Sequence, residues 1–142
     1  MTERRFANVV VGLESLYLPP VREGELSFRL KAHVGFVMDA LGYDGAQVGR
    51  EVMAAYRIRS AHVHGAHLTV KMRKKAELEF GDIKVLLRRV TNYLRISIIL
   101  AMTNPDSKET FLADLDLGLV SAKKAEEIRL KVAALGTRIP RG

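Results

Sequence analysis

The sequence predicts an all-α protein, a helical bundle with an additional helical pair towards the carboxyl end. Over most of the chain, apolar residues recur three and four positions apart, which is the spacing of helices buried along one side. Helix-ending residues interrupt this pattern at 19–20, at Gly42 and at 104–105. Residues 68–72 alternate as a strand would, but one isolated strand has no partner for its backbone.

The composition fits one domain over residues 1–142, with the bundle at about 3–103 and a helical extension at about 105–137. The chain has 142 residues, of which 48% are apolar, and this is enough for one core. Without cysteine, neither a disulfide nor a thiolate metal site is possible. The longest apolar run, 96–102, is too short to span a bilayer, and the start does not resemble a signal peptide. We therefore expect a soluble cytoplasmic protein without a membrane partner.

Two helices are predicted in the first third of the chain. The first is predicted to end at Leu18, because a proline disfavours helical geometry in the residue before it. The second is predicted from about Glu25 to Leu41, with Gly42 as its C-terminal cap. The apolar stripes are Phe6, Val9, Val10, Leu13, Leu16 and Tyr17 in the first helix, and Leu26, Leu30, Val34, Val37, Met38 and Leu41 in the second.

The third helix is predicted to open at Asp44, whose spacing to Gln47 is that of a capping box. A loop is predicted over residues 66–75. One long fourth helix is then predicted over about 78–103, ended by Asn104-Pro105. The apolar stripes are Val48, Val52, Ala55 and Tyr56 in the third helix, and Phe80, Ile83, Leu87, Val90, Leu94 and Ile98 in the fourth.

The carboxyl end predicts two shorter helices, at about 107–115 and 122–135. Ser121 is the expected N-cap of the second, and Gly136 follows its end. The apolar stripe of this pair needs a surface, so the pair either completes the bundle or contacts a partner subunit. The stripe consists of Phe111, Leu115, Leu119, Ile128 and Leu130.

The net charge of +7, with a pI near 9.9, gives a surface that attracts polyanions such as nucleic acid. The same charge also serves solubility alone. The chain has no tryptophan and only 6% aromatic residues, which argues against a single-strand binder that stacks many bases. Lys71, Arg73, Lys74 and Lys75 form the densest basic run, which is either a solvated loop or a contact for an RNA backbone.

Three of the four histidines, His62, His64 and His67, fall within six residues. We do not predict a metal site there. His62 and His64 would point in different directions on a helix, and no carboxylate lies between Glu51 and Glu77 to complete a ligand set.

Acid–base chemistry on a phosphate is the better interpretation of this segment. Histidine carries protons near neutral pH, and Arg59 offers a permanently charged fork for phosphate oxygens. Arg59 and His64 are five positions apart, which on a regular helix separates them by about 140°. Both can face one cleft if the helix ends near His62, as Gly65 would allow. This reasoning does not select His64 over His62 or His67.

Residues 56–65, Tyr-Arg-Ile-Arg-Ser-Ala-His-Val-His-Gly, resemble the signature of HEPN domains. That signature is an arginine, four to six residues of which one is often polar, and a histidine. The form Tyr-x-x-Arg-Ser-x-x-x-His-Gly is similar to the Apea-like branch of the family. The opening helix with residues 13–16, the second helix with residues 26–32 and the apolar helix after the signature agree with the family order. The resemblance covers about residues 3–103.

The resemblance implies a HEPN-type bundle of four or five helices that forms a homodimer and brings two Arg/His pairs into one cleft. Active members are metal-independent endoribonucleases that need no cofactor. In them the 2′-hydroxyl of RNA attacks the adjacent phosphate and leaves a 2′,3′-cyclic phosphate. Carried over, Arg59 and His64 would be catalytic, and Ser60, Tyr56 and His62 would support them. We expect RNA as substrate in a defence or toxin–antitoxin context, with an antitoxin or a fused regulatory domain as a further partner.

Two alternatives stay open. Some HEPN domains are not catalytic and serve RNA binding, nucleotide binding or dimerisation, and a plain helical adaptor is also compatible with the pattern. Some toxin members continue the signature as His-x-Tyr, whereas Gly65-Ala66 follows His64 here, so we do not expect their tyrosine modification. Glu14 and Arg29 face either the cleft or an ion-pair partner, and His33 is predicted to be a packing residue.

Overall fold

The computed structural model describes residues 2–20, 25–63 and 70–139, without the side chains of residues 62 and 63. In these ranges the chain forms seven α-helices and no strand, which confirms the predicted all-α bundle. The helices are α1 (Thr2–Tyr17), α2 (Leu26–Ala40), α3 (Gly45–Val63), α4 (Val70–Phe80), α5 (Ile83–Thr103), α6 (Lys108–Gly118) and α7 (Ala122–Gly136).

The core lies between α1, α2, α3 and α5. Helix α3 packs against both α1 and α2, and α5 packs against α1 and α3. The predicted stripes of α1 and α2 supply much of this core: Phe6, Leu13, Leu30 and Val34 are fully enclosed. Burying each such side chain contributes about 1.5–3 kcal/mol, so these stripes are a principal source of stability.

The ends of α1, α2 and α3 follow the signals in the sequence. The last backbone bond of α1 runs from the Leu18 N–H to the Glu14 carbonyl, directly before the two prolines. Gly42 follows α2 with a φ of +99°, a left-handed conformation that glycine adopts without a steric penalty. Asp44 caps α3, because its Oδ1 accepts the backbone N–H groups of Ala46 at 3.1 Å and Gln47 at 3.2 Å.

The prediction of a loop over residues 66–75 is wrong for residues 70–75, which belong to α4. Residues 70–72, which alternate as a strand would, are likewise helical. The predicted fourth helix over about 78–103 is confirmed from Ile83 to Thr103, but its start is wrong, since α4 ends at Phe80 and α5 begins at Ile83. Gly81 separates them with a φ of +83°, and the Asp82 side chain accepts the Lys84 backbone N–H at 2.8 Å. A left-handed glycine followed by an N-cap ends one helix and starts the next.

The buried face of α5 differs in part from the predicted stripe. Ile83 and Val90 point inward as predicted, but Leu87 and Leu94 are only partly buried and Ile98 is exposed. The buried face of α5 consists of Ile83, Leu86, Val90, Tyr93, Ile96, Ser97 and Leu100.

The C-terminal pair packs on the bundle. Helix α7 contacts α2 and α5, and α6 contacts α1. Leu115 and Ile128 are buried as predicted, and the N-cap at Ser121 is confirmed by its bond from the Lys124 N–H. Leu119 and Leu130 are exposed, contrary to the predicted stripe, because Leu112 and Val132 occupy the inward positions instead. The pair therefore completes the bundle.

Candidate functional site

Arg59 lies near the carboxyl end of α3, where this helix packs against α1. Its Nη1 is 3.1 Å from Oε1 of Glu14, and its Cζ is 5.9 Å from the centre of the Tyr56 ring. The Arg59 side chain is 23% exposed, whereas Glu14 is buried. Arg59 is thus fixed on one side by a carboxylate and an aromatic ring, and it keeps part of its surface in solvent.

The ion pair has a physical reason. A carboxylate removed from water is unfavourable unless it is paired, and the guanidinium of Arg59 supplies an opposite charge to Glu14. The Nε of Arg59 is shielded from solvent and has no hydrogen-bond acceptor among the residues that the structure describes. Sequence reasoning left Glu14 between a cleft and an ion-pair role, and the ion pair is what the structure contains.

The rest of the signature is only partly visible. Tyr56 and Ser60 lie close to Arg59 along the chain, and both residues are half-buried. His62 belongs to α3, but its side chain lies outside the described part of the chain. His64 and His67 fall outside the described residues altogether. The catalytic prediction requires Arg59 and His64 to face the same cleft, and this arrangement therefore stays a prediction.

The basic run belongs to a helix and not to a loop. Lys71, Lys74 and Lys75 are exposed and spaced three and four positions apart, so they share one side of α4, which we call the α4 basic face. Arg73 is also exposed, but its Nε donates to Oε1 of Glu77 at 3.0 Å. Three lysines thus remain as a positively charged surface, and Arg73 is partly neutralised.

His33 is more than the packing residue predicted from the sequence. It is fully buried on α2, and its Nε2 lies 3.0 Å from Oδ1 of Asp116 on α6. Arg29 donates to the other oxygen of Asp116 at 2.9 Å. Burial lowers the pKa of His33, and the charge and hydrogen bond of Asp116 oppose that shift. The ion-pair alternative for Arg29 is confirmed.

A second polar cluster lies between α3 and α5 and was missed from the sequence. Glu51 is 1% exposed, Tyr93 donates to its Oε1 at 3.2 Å, and Nη1 of Arg89 is 3.8 Å from the same oxygen. Burial raises the pKa of Glu51, while Arg89, Tyr93 and the Gln47 side chain lower it. Desolvation, together with Glu51, also raises the pKa of Tyr93. The available signal was a carboxylate between Val48 and Val52 in an apolar stripe.

Searches of protein-family models, of curated proteins and of solved structures found no match to this chain. The described residues contain no group of three or more histidine, aspartate or glutamate side chains arranged to hold a metal ion. Within the same residues, no helix is long and apolar enough to cross a membrane. The functional assignment therefore depends on the signature, on the position of Arg59 and on the charge of the surface.

Proposed function

We propose that this chain is a metal-independent endoribonuclease of the HEPN type, of the Apea-like branch, acting in a defence or toxin-like setting in the cytoplasm. The observation that carries the proposal is the position of Arg59. This arginine of the signature lies near the end of a buried helix, oriented by Glu14 and Tyr56 and still partly open to solvent. A fixed, partly exposed guanidinium is suited to a phosphate whose charge increases during reaction.

In the proposed reaction, the 2′-hydroxyl of a ribose attacks the neighbouring phosphorus, and the bond to the 5′-oxygen of the next nucleotide breaks. The products are a 2′,3′-cyclic phosphate and a free 5′-hydroxyl. Arg59 binds the phosphoryl oxygens, and His64 takes the proton of the attacking hydroxyl or gives one to the leaving oxygen. Ser60, Tyr56 and His62 support this pair. General acid–base transfer of this kind contributes about 10²–10⁴-fold in rate.

The remaining partners follow from the same proposal. The α4 basic face, with Arg73, attracts the RNA backbone without reading its sequence. A homodimer brings two Arg59/His64 pairs to one cleft, and an antitoxin or a fused regulatory domain restrains the activity. Light scattering across a range of protein concentrations measures the dimer directly.

The decisive experiment is RNA cleavage in excess EDTA. Wild type is expected to release fragments ending in 2′,3′-cyclic phosphate, and Arg59→Ala and His64→Ala are each expected to be slower by about a hundredfold or more. Arg57→Ala is the matched control, because Arg57 is exposed on the same helix and is not part of the signature. Uncut RNA with folded wild type, or full activity in both variants, would exclude the proposed nuclease.

One observation favours a non-catalytic HEPN module as the second candidate. The Glu14 carboxylate already neutralises part of the charge of Arg59, which reduces what that arginine offers a phosphate. In this case the protein binds RNA or a nucleotide, or only dimerises, and RNA stays intact. A gel-shift titration at increasing salt separates these outcomes, since binding through phosphates weakens steeply with salt.

A further inference from the structure

Helix α4 buries very little of its own surface. Of its 11 residues only Phe80, the last, is buried, and the side chains of Val70 and Leu78 are 70% and 89% exposed. Its packing is mainly against α5. A helix this short is marginal in water by itself, because most helical stability in proteins comes from a packed apolar face. Helix α4 therefore has little tertiary packing to keep it folded.

The charges at the two ends of α4 also oppose the helix. Lys71 and Arg73 lie in its first turn, which has no acidic residue, while Glu77 and Glu79 lie towards its end, which has no basic residue. The helix dipole favours negative charge at the amino end and positive charge at the carboxyl end. Both ends of α4 carry the unfavourable sign.

The three lysines of the α4 basic face repel one another. Lys71 precedes Lys74 by three positions and Lys75 by four, and like charges at these spacings destabilise a helix. The ion pair of Arg73 with Glu77 is favourable, but its order, with the basic residue first, is the weaker one. Electrostatics within α4 thus add to its weak packing.

Helix α6 provides a reference of the same length. It also has 11 residues, but it buries Leu112 and Leu115, and it carries Glu109 in its first turn. Its N-cap is Ser107, whose side chain accepts the backbone N–H of Thr110 at 3.2 Å. The features that stabilise α6 are those that α4 lacks, so the two helices are expected to differ in how readily they open.

We propose that the folding of α4 is coupled to RNA binding: α4 opens readily in the free protein, and phosphates along the α4 basic face hold it in its helical form. Bound phosphates remove the repulsion among the three lysines and place negative charge near the positive end of the helix. Because the opened segment no longer presents these lysines together, RNA and the helix stabilise each other. This inference rests on the proposed contact of α4 with RNA, and it adds that the substrate folds its own binding surface.

The test is hydrogen exchange of the full chain, measured by mass spectrometry with and without an RNA in which every ribose is 2′-O-methylated. Such an RNA has no 2′-hydroxyl to attack, so cleavage does not affect the result. In the free protein, the amides of α4 are expected to be at least about tenfold less protected than those of α6. RNA at ten times its dissociation constant is expected to raise the protection of α4 by about tenfold and to leave α6 unchanged.

Replacing Lys71, Lys74 and Lys75 together by glutamine is expected to have two opposite effects. In the free protein, it raises the protection of α4 by at least about threefold, because the repulsion is gone and glutamine has nearly the helix propensity of lysine. It also abolishes the rise in protection on adding RNA. Lys123→Gln, an exposed lysine of α7, is expected to behave as wild type in both respects.

The outcomes for α4 and for catalysis are separable. The coupling is overturned if α4 is as protected as α6 in the free protein, if the RNA does not bind, or if it binds without protecting α4. A wild type whose α4 is protected by RNA, but which leaves unmodified RNA intact, would confirm the coupling and exclude the nuclease. Cleavage of unmodified RNA without protection of α4 would do the reverse.

Discussion

Arg59 stabilises the fold as well as serving the proposed reaction, and the two roles have to be separated experimentally. The variant Arg59→Ala removes the positive charge beside the buried Glu14 carboxylate, so we expect its free energy of unfolding to fall by about 1–3 kcal/mol. Urea denaturation measures this fall. The double variant Glu14→Gln/Arg59→Ala is expected to recover part of the loss, and Arg57→Ala is expected to stay within about 0.5 kcal/mol of wild type.

Glu51 predicts an unusual dependence of stability on pH. Because burial raises its pKa in the folded state above the ordinary value of 4.5, the folded protein binds more protons than the unfolded chain just above pH 4.5. The contribution of Glu51 to stability therefore falls as the pH rises through that window. We expect Glu51→Gln to become progressively more stable relative to wild type from pH 4.5 upward. A difference that is constant with pH would contradict this expectation.

The contribution of His33 to stability changes with pH in the opposite direction to that of Glu51. Burial lowers its folded pKa below 6.5, so the unfolded chain binds a proton that the folded chain does not. Its contribution to stability is present above pH 6.5 and is lost as the pH falls below that value. Melting temperatures of His33→Gln and wild type across this range are expected to converge on acidification. Parallel curves would mean that His33 does not titrate in this window.

The junction between α4 and α5 depends on two residues. Gly81 has a φ of +83°, so Gly81→Ala is expected to lower the free energy of unfolding by about 1–2 kcal/mol. Asp82→Ala removes the N-cap of α5 and is expected to lower it by about 1 kcal/mol. Gly81→Asn serves as the control, because asparagine tolerates this conformation better than alanine. Equal stability of Gly81→Ala and wild type would show that the junction bears no strain.

The helices illustrate what local sequence can predict. Gly42 and Asp44 predict a helix end and a helix start, because the apolar spacing stops there. The equivalent pair Gly81 and Asp82 gives no such prediction, because the apolar spacing continues across it. The same limit applies to the site. The signature placed Arg59 near the end of α3, but its partner Glu14 lies on another helix, and the Glu51 cluster joins residues 42 positions apart. Such contacts follow from how helices pack, which periodicity within one segment does not encode.

For the molecule as a whole, the proposed binding of RNA to the α4 basic face predicts how the affinity responds to salt. Each phosphate contact contributes about 0.7 to the slope of log affinity against log salt for a single strand. Replacing Lys71, Lys74 and Lys75 together by glutamine is therefore expected to reduce that slope by about two and to weaken binding to all RNA sequences alike. Lys123→Gln, an exposed lysine of α7, is the control. An unchanged slope would place the RNA elsewhere on the surface.

The bonds of Asp116 to α2 have a practical consequence for protein engineering. This aspartate reaches from α6 to both Arg29 and the enclosed imidazole of His33, while α7 covers apolar surface on α2 and α5. A chain cut after Thr103 would keep every residue that resembles the HEPN signature, yet it would strip His33 of its acceptor and uncover that surface. We expect such a fragment to aggregate. A segment that transfers this signature region to another protein therefore has to include α6 and α7.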